Sequence, residues 1–253
     1  MTELPAFSVA QSFGPAPRRP FQIDRHYLLF SAEGVMRLEA EGTIWSLPPA
    51  RAALISANQP IEVTLPGKIQ CRSVLFSTDF VVSPPHVLSV FEMTPLAREL
   101  VFECGEWGAE EKALSDYARG LFQTLASVAW RLSETPSLLN MPAPRTDAVR
   151  KVLERTEQSL ASPPSFEDLA TEVAMSPRSL TRKISSELGM SWRQCLQKLR
   201  VINAVEALSR TDMQITEIAF AQGYQSLSAF NVAFRDLTGK TPTEYRASFN
   251  ATK

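Results

Sequence analysis

The C-terminal half of the sequence contains the same layout twice, and this repeat constrains the fold more than any other feature. The first copy reads FEDLATEVAMSPRSLTRKISSELG, and the second reads ITEIAFAQGYQSLSAFNVAFRDLTG. Each copy predicts a short helix, a turn, and a second helix that begins at a capping serine and ends at a glycine. Two short helices joined by a tight turn are typical of a helix-turn-helix.

The second helix of the first copy has one apolar face and one polar face. Ser176 is placed to cap this helix, and Pro177 takes its first position, where proline is favoured. Leu180, Ile184 and Leu188 recur every four residues and are therefore predicted to face inward. The outer face is polar and basic and comprises Arg178, Ser179, Thr181, Arg182 and Lys183.

The second copy keeps this framework but carries fewer charges. Ser226 is the predicted cap and Gly239 the predicted stop, with Phe230, Phe234 and Leu237 facing inward. A longer helix, SWRQCLQKLRVINAVEALS, joins the two copies, and the segment TPTE after the second predicts a capping box. We predict an all-α domain over residues 147–253, with helix-turn-helix units at about 166–188 and 215–238.

The N-terminal part has a different periodicity. Between Phe21 and Ser77 short apolar or alternating runs are separated by Gly- and Pro-containing turns, which predicts a β-sandwich or barrel. Helices are expected at about 95–104 and 110–132, followed by a Pro-rich linker at 133–146. The predicted fold class is α+β with two domains: a β-barrel with a helical pair over residues 1–132, then the all-α domain.

An apolar stripe with a heptad-like spacing runs through the helix predicted at 110–132. Such a stripe could pack on the domain's own strands, or it could form a dimerisation helix. The spacing does not separate these two alternatives. The stripe comprises Leu114, Tyr117, Leu121, Leu125, Val128 and Leu132.

Composition excludes several classes of protein. No apolar run is long enough for a membrane span, and the N-terminus lacks the pattern of a secretory signal, so we expect a cytoplasmic protein. The three cysteines and two histidines have no metal-ligand or catalytic spacing, so we expect no metal, no cofactor and no enzyme activity. The part after residue 145 carries a small positive charge and the part before it a negative charge, a weak indication of an anionic partner for the former.

The repeat resembles the AraC-type (AraC/XylS) family of bacterial transcription regulators. The similarity covers about residues 147–247, through MSPRSLTRKISSELG, KLRVINAVEAL, ITEIAFAQGY and FRDLTGKTPTEYR. The N-terminal strands followed by two helices are similar to the cupin-like sensing and dimerisation domain of many members. The resemblance implies two helix-turn-helix units whose second helices enter adjacent major-groove segments of double-stranded DNA.

By this resemblance, the first unit contacts DNA through Ser176, Arg178, Ser179, Thr181, Arg182 and Lys183. Arg178 and Arg182 lie one turn apart, and arginine reads guanine O6 and N7 with two hydrogen bonds. Lys183 and the helix N-terminus at Ser176 suit phosphates. The alternative for each arginine and for Lys183 is a solvated charge.

The second unit contacts DNA, by the same resemblance, through Gln225, Ser226, Leu227, Ser228, Asn231, Val232 and Arg235. Val232 stands where family members often carry a basic residue. Base reading would then depend on Asn231, which can pair with adenine, and on apolar contacts to thymine methyl groups. Arg200 and Arg246 match positions that tend to be structural in the family and are left out of the interface.

A small-molecule effector could bind inside the N-terminal barrel. The candidate lining residues are Tyr27, Leu29, Met36 and Trp45, each of which could instead be ordinary core. The expected function is a sequence-specific DNA-binding regulator, favoured as an activator, with a homodimer, RNA polymerase and an effector as candidate partners. The alternatives are a regulator that acts mainly through protein contacts without an effector and, less favoured, a cupin-type enzyme.

Overall fold

The computed structural model describes residues 4–250. Within that range the chain divides into two compact units. One unit comprises residues 4–40, 45–137 and 247–250, and the other comprises residues 41–44 and 138–246.

The strands form two five-stranded antiparallel sheets, with strand orders β1-β8-β3-β6-β9 and β10-β5-β4-β7-β2. The short apolar or alternating runs between Phe21 and Ser77 form six strands, β3 to β8, so the predicted β fold is confirmed. Strand bounds are β1 Ala6–Phe13, β2 Ala16–Phe21, β3 His26–Glu33, β4 Met36–Ala40, β5 Thr43–Leu47, β6 Arg51–Ile55, β7 Ile61–Leu65, β8 Ile69–Phe76, β9 Leu88–Glu92 and β10 Met141–Pro142.

Four further strands, β1, β2, β9 and β10, were not expected from the sequence. β2 reads APRRPF, and its prolines argue against a strand because proline cannot donate to a sheet ladder. β2 lies at the edge of its sheet and pairs only with β7, where a missing donor is tolerated.

Two apolar clusters fill the N-terminal unit, and β3 supplies both. Successive side chains of a strand point to opposite faces, so Leu28 and Phe30 join one cluster while Tyr27 and Leu29 join the other. The first cluster packs one sheet against helices α1 (Pro95–Cys104) and α2 (Asp116–Ser133), whereas the second gathers side chains from both sheets.

Helix α2 starts later than the sequence predicted, at Asp116 rather than near residue 110. Ser115 ends the preceding loop by accepting a hydrogen bond from the Ala118 N–H, and Leu114 therefore lies outside the helix. Tyr117 is 61% exposed. The rest of the apolar stripe contacts the unit's own cluster, Leu125 as a buried member and Leu114, Leu121, Val128 and Leu132 packed against it.

The sheet thus provides the apolar partner that the heptad-like stripe requires. A dimer contact through α2 would have to use its exposed side, which carries Tyr117, Gly120, Gln123, Thr124 and Ser127.

The part of the chain after residue 146 is helical. Its helices are α3 Asp147–Glu157, α4 Phe166–Glu172, α5 Pro177–Leu188, α6 Trp192–Arg210, α7 Ile215–Ala221, α8 Leu227–Thr238 and α9 Pro242–Asn250. Within residues 4–250, no helix combines the length and the hydropathy needed to cross a membrane.

Candidate nucleic-acid interface

Helices α4 and α5 form one helix-turn-helix, and α7 and α8 form the other. In both turns a backbone N–H bonds back to a carbonyl five residues earlier, Met175 to Ala170 at 2.9 Å and Tyr224 to Ala219 at 3.1 Å. This bond requires a left-handed residue just before the donor. Ala174 (φ 53°) fills that place in the first unit and Gly223 (φ 80°) in the second.

The capping residues lie where the sequence predicted them. The hydroxyls of Ser176 and Ser226 accept hydrogen bonds from the N–H groups of Ser179 and Ala229, at 3.2 Å each. Each second helix ends at a left-handed glycine, Gly189 or Gly239. Both second helices therefore have the same length, 12 residues, and matched ends.

The outer face of α5 carries two arginines with no partner. Arg178 and Arg182 are exposed, and neither forms an ion pair or hydrogen bond with another residue among those described. Together with Thr181, Ser185 and Ser186 they line an open hollow on the helix surface. Two free guanidinium groups one helical turn apart provide donors that suit base edges or phosphates.

Other residues predicted to contact DNA in the first unit form hydrogen bonds or an ion pair within the protein. Ser176 and Ser179 hydroxyls bond to each other at 2.9 Å, and the Thr181 hydroxyl donates to the Pro177 carbonyl at 2.9 Å. Lys183 Nζ lies 3.6 Å from the Glu187 carboxylate. Lys183 must give up this ion pair before it can bind a phosphate.

Glu187 connects α5 to the start of α3, a role that the sequence analysis missed. Its carboxylate accepts hydrogen bonds from the N–H groups of Arg145 (2.9 Å) and Thr146 (3.0 Å) and from the Thr146 hydroxyl (2.7 Å). Burial alone would raise the pKa of Glu187, but these hydrogen bonds and Lys183 outweigh it and lower the pKa. The sequence gives no signal for this contact because Thr146 and Glu187 are far apart in the chain.

The outer face of α8 is mainly uncharged. Val232 is 62% exposed and occupies the place that Arg182 has in α5, when the two helices are aligned on their terminal glycines. Asn231 is half-buried on the flank, whereas Arg235 is exposed in the last turn beside Asp236. The remaining predicted residues are exposed at the start of the helix: Gln225, Ser226, Leu227 and Ser228.

Helix α6 connects the two helix-turn-helix units. Its 19 residues span about 28 Å at 1.5 Å per residue. Successive major-groove segments on one side of DNA lie about 34 Å apart. The helix and its flanking turns are therefore long enough to present α5 and α8 to two such segments.

Comparison with known proteins agrees with this geometry. A family model described as "Helix-turn-helix domain" matches residues 169–248. The HTH-type transcriptional regulator NimR of Escherichia coli is 27% identical over 223 residues, which cover 87% of this chain and 79% of NimR. The ornithine utilization regulator of Pseudomonas aeruginosa is 42% identical over 90 residues, covering 34% and 26% of the two chains. Residues 169–248 of this chain form an AraC-type helix-turn-helix domain, as found in HTH-type transcriptional regulators.

Solved structures give a looser similarity over the whole length. ToxT of Vibrio cholerae, crystallised with an unsaturated fatty acid, covers 98% of the regulator and 96% of its own chain, at 14% identity and a TM-score of 0.41.

The N-terminal unit contains an open cavity of about 480 Å³ with mainly apolar walls. Three of the four predicted pocket residues, Tyr27, Leu29 and Met36, line it. Trp45 is not among the lining residues and packs against the neighbouring apolar cluster. The sequence analysis missed the mouth, where Phe13, Arg19 and Phe21 come from the unexpected strands β1 and β2.

Two polar groups of the cavity wall are harder to ionise than usual. Burial raises the pKa of the Tyr27 phenol and of the Cys71 thiol. The Cys71 sulfur lies 3.2 Å from the Ser73 hydroxyl. Within the described residues, no group of three or more His, Cys, Asp or Glu side chains is arranged to hold a metal ion.

Proposed function

We propose that this regulator binds a specific DNA sequence by inserting α5 and α8 into adjacent major-groove segments, and that α5 provides most of the base-specific hydrogen bonds. The observation that carries the proposal is the pair of exposed and unpartnered arginines, Arg178 and Arg182, on one face of a capped 12-residue helix. Each guanidinium can donate two hydrogen bonds to one guanine, a contact worth about 1–3 kcal/mol of discrimination.

The second unit contributes in a different way. Asn231 offers an amide that can pair with adenine, and Val232 and Leu227 offer apolar contacts to thymine methyl groups. Arg235, at the end of α8, is suited to a phosphate. Phosphate contacts position the protein without reading the base sequence. We therefore expect α8 to contribute more to overall DNA affinity than to discrimination between DNA sequences.

The N-terminal unit is proposed to bind an effector in its cavity. The volume of about 480 Å³ lies in the range of small-molecule sites, and the mainly apolar lining residues favour an apolar ligand. We further propose a homodimer that acts in the cytoplasm, without enzyme activity, and activates transcription through contact with RNA polymerase.

The DNA proposal is tested by selecting duplexes from a random library with the full-length protein and then measuring affinity by gel shift. We expect wild-type protein to select one sequence class and to bind it less tightly as salt rises. The double variant Arg182→Ala, Asn231→Ala should lose that sequence preference. A double variant that keeps the preference would refute these contact assignments, and a wild type that selects nothing would favour a regulator acting through protein contacts.

The effector proposal needs a separate measurement. Val63 lines the cavity, so Val63→Trp should fill part of it, whereas Val87→Trp adds the same side chain at an exposed position. An apolar fluorescent probe such as anilinonaphthalene sulfonate should bind wild type and Val87→Trp but bind Val63→Trp weakly. Equal binding to all three proteins would argue against this cavity as the site.

A further inference from the structure

Arg200 belongs to neither helix-turn-helix unit but contacts the turn of the second unit and the loop that precedes the first. It lies in α6, and its Nε and Nη2 atoms donate to the Leu160 carbonyl at 3.1 and 2.8 Å. Leu160 is in the loop that leads into the first unit. The same guanidinium lies 5.6 Å from the centre of the Tyr224 ring, in the turn of the second unit.

Gly223 allows this contact to be close. An added Cβ at Gly223 would lie 2.5 Å from Arg200 Nη2 and 2.7 Å from the carbonyl oxygens of Leu160 and Ala161. The second turn therefore packs directly on the loop before the first unit, and only glycine fits between them. Its left-handed φ of 80° favours glycine for a second reason.

The contact continues into the second recognition helix. The Tyr224 ring packs against Phe230 of α8 with centroids 5.2 Å apart, and Phe230 packs against Phe234 at 5.5 Å. A series of contacts thus runs from the Leu160 carbonyl through Arg200 and Tyr224 to the core of α8. Only arginine combines two N–H donors for one carbonyl with a planar face for the ring.

We propose that Arg200 is a positioning residue that sets the distance and angle between α5 and α8, and so determines which spacing between two half-sites the regulator accepts. The inference rests on the proposed two-helix binding to DNA. Arg200 itself does not contact DNA; it acts by holding the second turn in place. We name the group Leu160, Arg200, Gly223 and Tyr224 the inter-unit joint.

The first test uses a duplex selected by the wild-type protein, together with a version that has one base pair inserted between the two half-sites. One inserted base pair moves the second half-site by about 3.4 Å and about 35° around the axis. Wild type should lose at least about tenfold in affinity, because α8 can no longer make its base contacts. Arg200→Gln should bind the selected duplex more weakly and lose less than about threefold on insertion.

Control variants distinguish the role of the inter-unit joint from the effect of simply removing a charge or a hydroxyl group. Arg210→Gln removes an exposed arginine from the same helix, and Tyr224→Phe removes a hydroxyl that has no partner among the described residues while keeping the ring. Both should retain the wild-type insertion penalty. Arg200→Lys keeps the charge but not the planar fork, and should give an intermediate penalty if Arg200→Gln is too unstable to purify. An unchanged penalty in a folded Arg200 variant overturns the proposal.

A second readout does not depend on DNA binding. Spin labels on Ser186→Cys and Asp236→Cys, both exposed in the last turns of α5 and α8, report the separation of the two helices by pulsed electron resonance. Wild type and Arg210→Gln should give one narrow distance distribution, and Arg200→Gln a broadened one. Narrow distance distributions in all three proteins would overturn the proposed role of the inter-unit joint. If Arg200→Gln gives a broadened distribution but the wild-type protein selects no duplex from the library, only the proposed function is refuted.

Discussion

The two helix-turn-helix units share a backbone plan but differ in core and surface. The first has an aliphatic core of Leu180, Ile184 and Leu188 beneath a face with two free arginines. The second has an aromatic core, in which Phe230, Phe234 and Tyr245 pack edge to face with successive ring centroids 5.5 Å apart, beneath a largely uncharged face. The framework can therefore be repeated while the chemistry of the outer face varies independently, because inward and outward positions of a helix are different residues.

The largest expected effect concerns the arginine face. Replacing Arg178 and Arg182 by alanine should weaken binding to the selected duplex by about 100-fold or more, since each bidentate contact contributes about 1–3 kcal/mol. Asn231→Ala should cost less. Gel-shift titrations of the three proteins on the same duplex check the ranking, and an equal or larger loss from Asn231→Ala would reverse it.

The two turns should respond oppositely to exchange of alanine and glycine. Gly223→Ala should destabilise the protein by about 2 kcal/mol or more, because it combines a left-handed backbone with a blocked Cβ. Ala174→Gly should stabilise it by up to about 1 kcal/mol, since Ala174 already bears the strain of a positive φ. Urea unfolding of both variants measures the two free energies; a destabilising Ala174→Gly would contradict this account.

A smaller effect is expected from placing a basic residue at position 232 of α8. Val232 is exposed and aligned with Arg182, so Val232→Arg should raise affinity for DNA of any sequence by roughly three- to tenfold at low salt. The slope of log affinity against log salt should steepen by about one unit. Val232→Gln serves as the uncharged control. An unchanged salt slope in Val232→Arg would show that this position does not contact the DNA phosphates.

The smallest effect is a pH dependence of stability, which arises from the contacts of the Glu187 carboxylate in the first helix-turn-helix unit. The folded pKa of Glu187 is below its ordinary 4.5, so its stabilisation is present above that value and is lost as pH falls through the folded pKa. The difference in melting temperature between wild type and Glu187→Gln should therefore shrink below about pH 4.5. Glu244→Gln is the matched comparison, because that carboxylate caps the exposed start of α9. A difference that does not change with pH would exclude the Glu187 contacts as its cause.

Local chemistry in the sequence was sufficient to predict the repeat, the caps and six strands. Ser176, Gly189, Ser226 and Gly239 are recognisable because capping and left-handed stops depend on neighbouring residues. Alternation along β3 places Tyr27 and Leu29 on the same face, whereas Met36 reaches the cavity from β4 of the other sheet. Strand β2 was missed because its prolines are acceptable only at a sheet edge, and an edge is a property of the assembled sheet.

Contacts between distant residues were decided by the tertiary structure. The stripe on α2 is compatible with either a second copy or the chain's own sheet, and only packing assigns Leu125 to the sheet. Glu187 meets Thr146, and Arg200 meets Leu160 and Tyr224, across separations that no local pattern encodes. The sequence by itself determined that there are two units with unequal outer faces. The contacts of Arg200 with Leu160 and Tyr224 join residues that are distant in the sequence, and they form only once the helices have packed.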